Sequence, residues 1–78
     1  MSEPDRRAQM LIADALELAP ELVPADASID SFERWDSIGH MRVVARIEEV
    51  LGRPLETSEV LAVSDLASVA ALLGGAGA

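Results

Sequence analysis

The chain has 78 residues, a net charge of −8 and no cysteine. This length fits one domain, residues 1–78, with room for one core and little room for a deep catalytic cleft. The acidic charge argues against nucleic acid and anionic membranes as partners, and the missing thiols exclude disulfides and cysteine-based metal sites. We expect a cytoplasmic monomer, because no apolar signal segment or run of ~20 apolar residues occurs.

The first predicted element is a helix that begins after Ser2 and stops near Leu18. Ser2 is a good N-cap, and Pro4 fits the first helical turn. The helix should end ahead of Pro20. Apolar residues at helical spacing define the face expected to be buried: Ala8, Leu11, Ile12, Ala15 and Leu16.

A long connection, residues 19–36, follows this helix. Pro20 and Pro24 interrupt any helix, and aspartate and serine favour turns. Apolar residues in the connection predict that it packs onto the core: Leu22, Val23, Ile29 and Phe32. A loop of this length in a small domain often has a function.

The central predicted helix begins at Asp36-Ser37 and ends near Leu51. Asp36 is a good N-cap and Gly52 a natural C-cap. Its inward stripe is predicted to be Ile38, Met41, Val44, Ile47 and Leu51. Its exposed stripe is predicted to be Gly39, Arg42, Arg46, Glu49 and Arg53.

Two further helices complete the predicted fold. A short one follows Thr57 and reaches Leu61, and the last one starts after a Ser64 cap and runs to Leu73. The tail, about residues 74–78, is expected to be frayed. The last helix should bury Leu66, Val69, Ala70 and Leu73. The sequence thus predicts an all-α fold, a small antiparallel bundle of three long helices plus one short helix, with a long loop between helices one and two.

Side chains for catalysis are scarce. His40 is the only histidine, and the chain has no lysine or tyrosine. Ser37 and His40 lie three residues apart on one helix, but a Ser-His hydrolase also needs an orienting third group, an oxyanion hole and a pocket. No HExxH, CxxC or glycine-rich phosphate loop occurs. We therefore predict no enzyme activity and no metal site, with His40 at the surface.

Ser37 is the residue with the most distinctive position. It opens a helix after a turn-rich loop, where free backbone N–H groups and the helix dipole would stabilise an attached phosphate. A hydroxyl there is open to a modifying enzyme. The pair Asp36-Ser37 is equally typical of an ordinary helix cap, and by itself it favours that interpretation.

Four stretches form a wider pattern around Ser37: residues 35–41, 47–52, 53–55 and 63–69. With the preceding helix and long loop, the pattern resembles the acyl carrier protein family over nearly the whole chain. In that family Asp-Ser-Leu (or Ile) opens the second helix, and Asp36-Ser37-Ile38 matches this motif. The family serine carries 4′-phosphopantetheine, so the resemblance implies that Ser37 is the attachment residue.

The resemblance implies a carrier whose arm holds acyl groups as thioesters for separate enzymes. The implied partners are a phosphopantetheinyl transferase and an acyl ligase, synthase or acyltransferase. Fatty-acid, polyketide and specialised-lipid biosynthesis all remain open. An aminoacyl or peptidyl carrier is an alternative, although such carriers more often have glycine ahead of the serine. A small helical adaptor without a prosthetic group is another.

The central helix departs from the acidic second helix of typical fatty-acid carriers. Arg42 stands where a glutamate is usual, and seven acids lie instead within residues 14–36, against Arg34 alone. We expect partners to bind the loop together with the helix. Trp35 either packs the loop against the helix start or contacts a partner. The candidate partner-binding residues are Trp35, Asp36, Ile38, Arg42, Arg46 and Glu49.

Overall fold

The structure is a computed structural model that describes residues 2–76, with side chains described to residue 74. Within this range the chain forms four α-helices and one 3₁₀ turn, and no β-strand. The helices are α1 (Glu3–Leu16), α2 (Ser37–Leu51), α3 (Thr57–Ala62) and α4 (Leu66–Ala76), with the 3₁₀ turn at Pro20–Leu22. The predicted all-α bundle of three long helices and one short helix is confirmed.

Helix α1 has the predicted start and an earlier end. The Ser2 hydroxyl accepts a hydrogen bond from the Asp5 N–H at 3.2 Å, which confirms the N-cap. The helix ends at Leu16 because Glu17 adopts the left-handed conformation, with φ at 59°. The Leu18 N–H then donates to the Ala13 carbonyl at 2.8 Å, which closes the last turn.

The core is formed by α1, α2 and α4 together with the long loop. Helix α1 contacts both α2 and α4, and its predicted apolar face is buried. The buried residues of α4 are the four predicted ones: Leu66, Val69, Ala70 and Leu73. The loop contributes Val23, Ala27 and Trp35.

The loop between α1 and α2 packs on the core, but through fewer residues than predicted. Val23 is buried and Phe32 is half-buried, whereas Leu22 and Ile29 are exposed. The Gln9 side chain donates to the Val23 carbonyl at 2.9 Å. Alternation of buried and exposed positions along an irregular segment has no fixed period, so hydrophobicity alone placed Leu22 and Ile29 wrongly.

Backbone hydrogen bonds join the same loop to the start of α4. The Ile29 N–H donates to the Ser64 carbonyl and the Leu66 N–H donates to the Ala27 carbonyl, both at 2.9 Å. This pairing is an isolated antiparallel bridge between Ser28 and Asp65. The loop is therefore held at its middle as well as at its two ends.

Helix α2 has the predicted bounds, but two of the five residues of its predicted inward stripe are exposed. Ile38 and Met41 are 67% and 72% exposed, while Gly39, Val43 and Ile47 are buried. Residues three apart, as in most of the predicted stripe, move about 60° around the helix at each step. Residues four apart, as in the buried set, stay closer to one face. The half-buried residues of α2 are His40, Val44, Glu48 and Leu51.

Two details of α4 correct the prediction. Its N-cap is Asp65 and not Ser64, because the Asp65 carboxylate accepts the Ser68 N–H at 2.8 Å. Ser64 takes part in this cap only through its backbone N–H, which donates to the Ser68 hydroxyl at 3.0 Å. The helix also continues through Ala76, three residues beyond the predicted end at Leu73. The frayed tail stays a prediction. Residues 77–78 lie outside the described residues.

Candidate functional site

The first turn of α2 is capped by Asp36, as predicted. Its carboxylate accepts the Gly39 N–H at 2.8 Å, and its carbonyl accepts the His40 N–H at 2.7 Å. The backbone N–H groups of Ser37 and Ile38 have no acceptor within residues 2–76. The start of α2 therefore offers two free donors at the positive end of a helix of 15 residues.

The Ser37 side chain is exposed at this position, and its hydroxyl makes no hydrogen bond within the described residues. Other serines are used by the fold. The hydroxyls of Ser28 and Ser31 bond to each other at 2.8 Å, and that of Ser68 donates to the Asp65 carbonyl at 2.7 Å. A modifying enzyme can thus reach Ser37 without disturbing a cap or a turn.

Trp35 lies behind the site. It is 1% exposed, and its Nε1–H donates to Nδ1 of His40 at 3.2 Å. The indole and imidazole rings are stacked, with centroids 6.3 Å apart. Trp35 therefore packs the loop against the helix start, while its contact with a partner stays a prediction. His40 is half-buried because its ring covers the indole, so the prediction of a surface histidine was too simple.

Gly39 lets the first turn of α2 lie directly on the end of α1. A Cβ atom at this position would be 2.6 Å from Leu16 Cδ2 and 3.1 Å from the Arg34 carbonyl oxygen. Both distances are shorter than ordinary van der Waals contacts. Its assignment to the exposed stripe was wrong, because the small residue is what permits this close approach.

The charged candidates on α2 form ion pairs along its boundary with α1. Arg46 lies 3.2 Å from the Asp14 carboxylate and 3.3 Å from that of Glu49. Arg42 lies 4.0 Å from the Glu17 carboxylate. These side chains remain about half exposed or more, so the structure presents a row of alternating charges and not a purely basic stripe. Ile38 is the exposed apolar candidate on the same helix.

A polar network at the other end of α2 was missed by the sequence interpretation. The Arg53 guanidinium donates to both Glu59 carboxylate oxygens, at 2.9 and 2.8 Å, and the Glu56 N–H donates to the same carboxylate at 2.9 Å. These bonds lower the pKa of Glu59 to about 2, and the bond from Arg53 has the largest effect. The Glu48 carboxylate accepts the Leu55 N–H at 2.8 Å. The three-residue separation of Glu56 and Glu59 is a capping-box spacing that could have revealed part of this network.

A groove of about 520 Å³ lies beside Ser37, between the long loop and α2. We call it the Ser37 groove; its lining residues are Ile29, Asp30, Trp35, Asp36, Ser37, His40 and Met41. The predicted site residues Trp35, Asp36 and Ser37 meet there, whereas Arg42, Arg46 and Glu49 do not line it. Sequence reasoning missed Ile29 and Met41 because it placed both in the core.

Within residues 2–76, no helix combines the length and apolar character needed to cross a bilayer. The same part of the chain contains no cluster of three or more acidic or histidine side chains suited to a metal ion.

Comparison with known families agrees with this geometry. The family described as phosphopantetheine attachment site matches residues 6–73, which is most of the chain. The chain therefore belongs to the phosphopantetheine attachment site family, whose members carry a 4′-phosphopantetheine prosthetic group. No curated protein matches the chain significantly. The exposed hydroxyl and free N–H groups at the start of α2 suit a covalently held phosphate.

Proposed function

We propose that Ser37 carries the 4′-phosphopantetheine arm and that the chain is an acyl carrier protein. The observation that supports this most is the exposed Ser37 hydroxyl, free of hydrogen bonds to residues 2–76, at the first position of α2. Ser37 lies within the family match, and its Asp36-Ser37-Ile38 context resembles the acyl carrier motif.

The residues around Ser37 act as a support for the attached group. The free N–H groups of Ser37 and Ile38 would hold the phosphate and offset part of its charge. Asp36 keeps its carboxylate on the Gly39 N–H, which fixes the turn that presents the hydroxyl. When bound, the arm supplies a terminal thiol that holds an acyl group as a thioester. The chain itself contributes attachment and presentation, and separate enzymes perform the chemistry.

The acyl group belongs, in this proposal, to fatty-acid, polyketide or specialised-lipid biosynthesis. Asp36 precedes the serine where aminoacyl and peptidyl carriers more often have glycine, and this supports the acyl class. The partners are a phosphopantetheinyl transferase and an acyl-loading enzyme. The exposed Ile38 and the ion-paired Arg42 and Arg46 are the proposed contacts for them.

Intact mass after incubation with a phosphopantetheinyl transferase and coenzyme A tests the attachment. The wild-type chain should gain the mass of one phosphopantetheine, and Ser37→Ala should gain none. Ser58→Ala is a matched control, because Ser58 is also an exposed serine near the start of a helix, and it should be modified like the wild type. An unchanged wild-type mass with several transferases would favour the adaptor alternative.

Charge reversal tests the partner surface. Arg42→Glu combined with Arg46→Glu should slow acyl loading of the holo protein by its acyl-loading enzyme, because it replaces two cations beside the acids of α1. Glu3→Arg is a control with a charge change at the far end of α1. Loading at the wild-type rate in the double variant would remove Arg42 and Arg46 from the partner surface.

A further inference from the structure

The Ser37 groove has two apolar walls that are not part of the core. Ile29 on the loop is 41% exposed and Met41 on α2 is 72% exposed, and both line the groove with Ser37. Ser37, His40 and Met41 share one side of α2 because they are three and four residues apart. A group attached to the Ser37 oxygen therefore starts inside the groove.

The hydrogen bond from Trp35 determines which ring nitrogen of the neutral His40 carries the proton. An indole N–H can only donate, so Nδ1 of His40 accepts at 3.2 Å and the proton of the neutral ring is on Nε2. No residue within 2–76 accepts a hydrogen bond from this Nε2–H. His40 also lines the groove. One oriented donor is thus available a single helical turn from the attachment oxygen.

We propose that the Ser37 groove binds the first part of the phosphopantetheine arm, an inference that rests on the proposed function. The Nε2–H of His40 and the free N–H groups of the first turn would hold the phosphate oxygens. Ile29 and Met41 would contact the dimethyl carbon that follows the phosphate in this prosthetic group. Trp35, which is fixed by its hydrogen bond, forms the base of the groove.

Tethering makes weak contacts sufficient for this binding. A group held by a short linker has an effective concentration in the mM range near its attachment point. Partial burial of two methyl groups and one hydrogen bond can then keep the arm in the groove for much of the time, while a partner enzyme can still withdraw it.

Amide chemical shifts of the apo and holo protein test the groove. In the wild type, attachment of the arm should shift the amide signals of Ile29 and Asp30, across the groove, as well as those beside Ser37. Met41→Ala should lose the shifts at Ile29 and Asp30. Met10→Ala should keep them, because Met10 is also an exposed methionine, lies on α1 and does not line the groove.

A second measurement sharpens the test. His40→Phe keeps a ring over Trp35 but removes the donor, and it should change the ³¹P shift of the arm.

Each failure has its own signature. A wild-type chain with the added mass of the arm, but with shifts confined to residues 36–38, overturns the groove and leaves the carrier function intact. A wild-type chain without the added mass overturns the carrier function and the groove together.

Discussion

The two ends of α2 are held in different ways. At its start, Trp35 is almost fully buried and Gly39 packs directly on Leu16. At its end, Arg53, Glu59 and Glu48 hold the chain through exposed or half-exposed hydrogen bonds and one ion pair. Packing from behind leaves the outer surface at Ser37 free of protein contacts, whereas a polar network would occupy the surface it stabilises.

The largest expected effect comes from removing the buried side chain at the start of α2. Trp35→Ala should lower the free energy of unfolding by about 3–5 kcal/mol, because it leaves a cavity under the loop. Urea denaturation followed by circular dichroism measures this. A loss below about 1 kcal/mol would mean that the indole is not the support of the loop that its burial indicates.

Two glycine substitutions should change the free energy of unfolding in opposite directions. Gly39→Ala should lower the free energy of unfolding by about 1 kcal/mol, since overpacking against Leu16 and the Arg34 carbonyl exceeds the gain in helix propensity. Gly74→Ala should raise it by up to about 1 kcal/mol, because its Cβ would meet only Pro4 at ordinary contact distance, 3.6 Å. Chemical denaturation of both variants is the measurement. Stabilisation by Gly39→Ala would contradict the close approach of α2 to α1.

The contribution of the polar network at the end of α2 to stability should depend on pH. The pKa of Glu59 is lowered from 4.5 to about 2 in the folded chain, chiefly by its hydrogen bond from Arg53. Its contribution to stability is therefore present above about pH 5 and is lost as the pH falls towards 2. Arg53→Gln should be less stable than the wild type near neutral pH, and this difference should shrink over that range.

Thermal unfolding of both proteins between about pH 7 and pH 2.5 checks this. Arg6→Gln serves as the control, because Arg6 is an exposed arginine on α1 and should give a pH-independent difference. A constant difference between Arg53→Gln and the wild type would show that Arg53 does not act through Glu59.

The smallest effect is expected for the ion pairs between α1 and α2. Arg46→Gln should change the free energy of unfolding by less than about 1 kcal/mol, because Arg46 and Asp14 are both about half exposed or more. The difference should decrease further in high salt. A loss comparable to that of Trp35→Ala would mean that charge, and not packing, supports the start of α2.

Local rules predicted most of the fold. Capping residues located the starts of α1 and α2, and Gly52 located the end of α2, because these features act within one turn. The Asp36-Ser37 pair located the start of α2, while Ser37 as the attachment residue stays a prediction. The family resemblance over the whole chain, and not that pair, favoured an attachment site over an ordinary cap.

The remaining features depend on contacts between distant parts of the chain. Ile38 and Met41 were placed inside because nothing in α2 alone shows which side meets α1. A glycine is needed at position 39 because Leu16 lies against it. The Ser37 groove exists only because Ile29 faces α2 across the loop. Such pairs are set by packing, which periodicity along one helix does not encode.

The backbone pairing between Ala27 and Leu66 has a consequence for synthesis. The two residues lie half the chain apart, so the loop ahead of Ser37 cannot complete its hydrogen bonds until the segment before α4 has left the ribosome. The conformation of the loop that leads to Ser37 therefore depends on a segment made much later in synthesis.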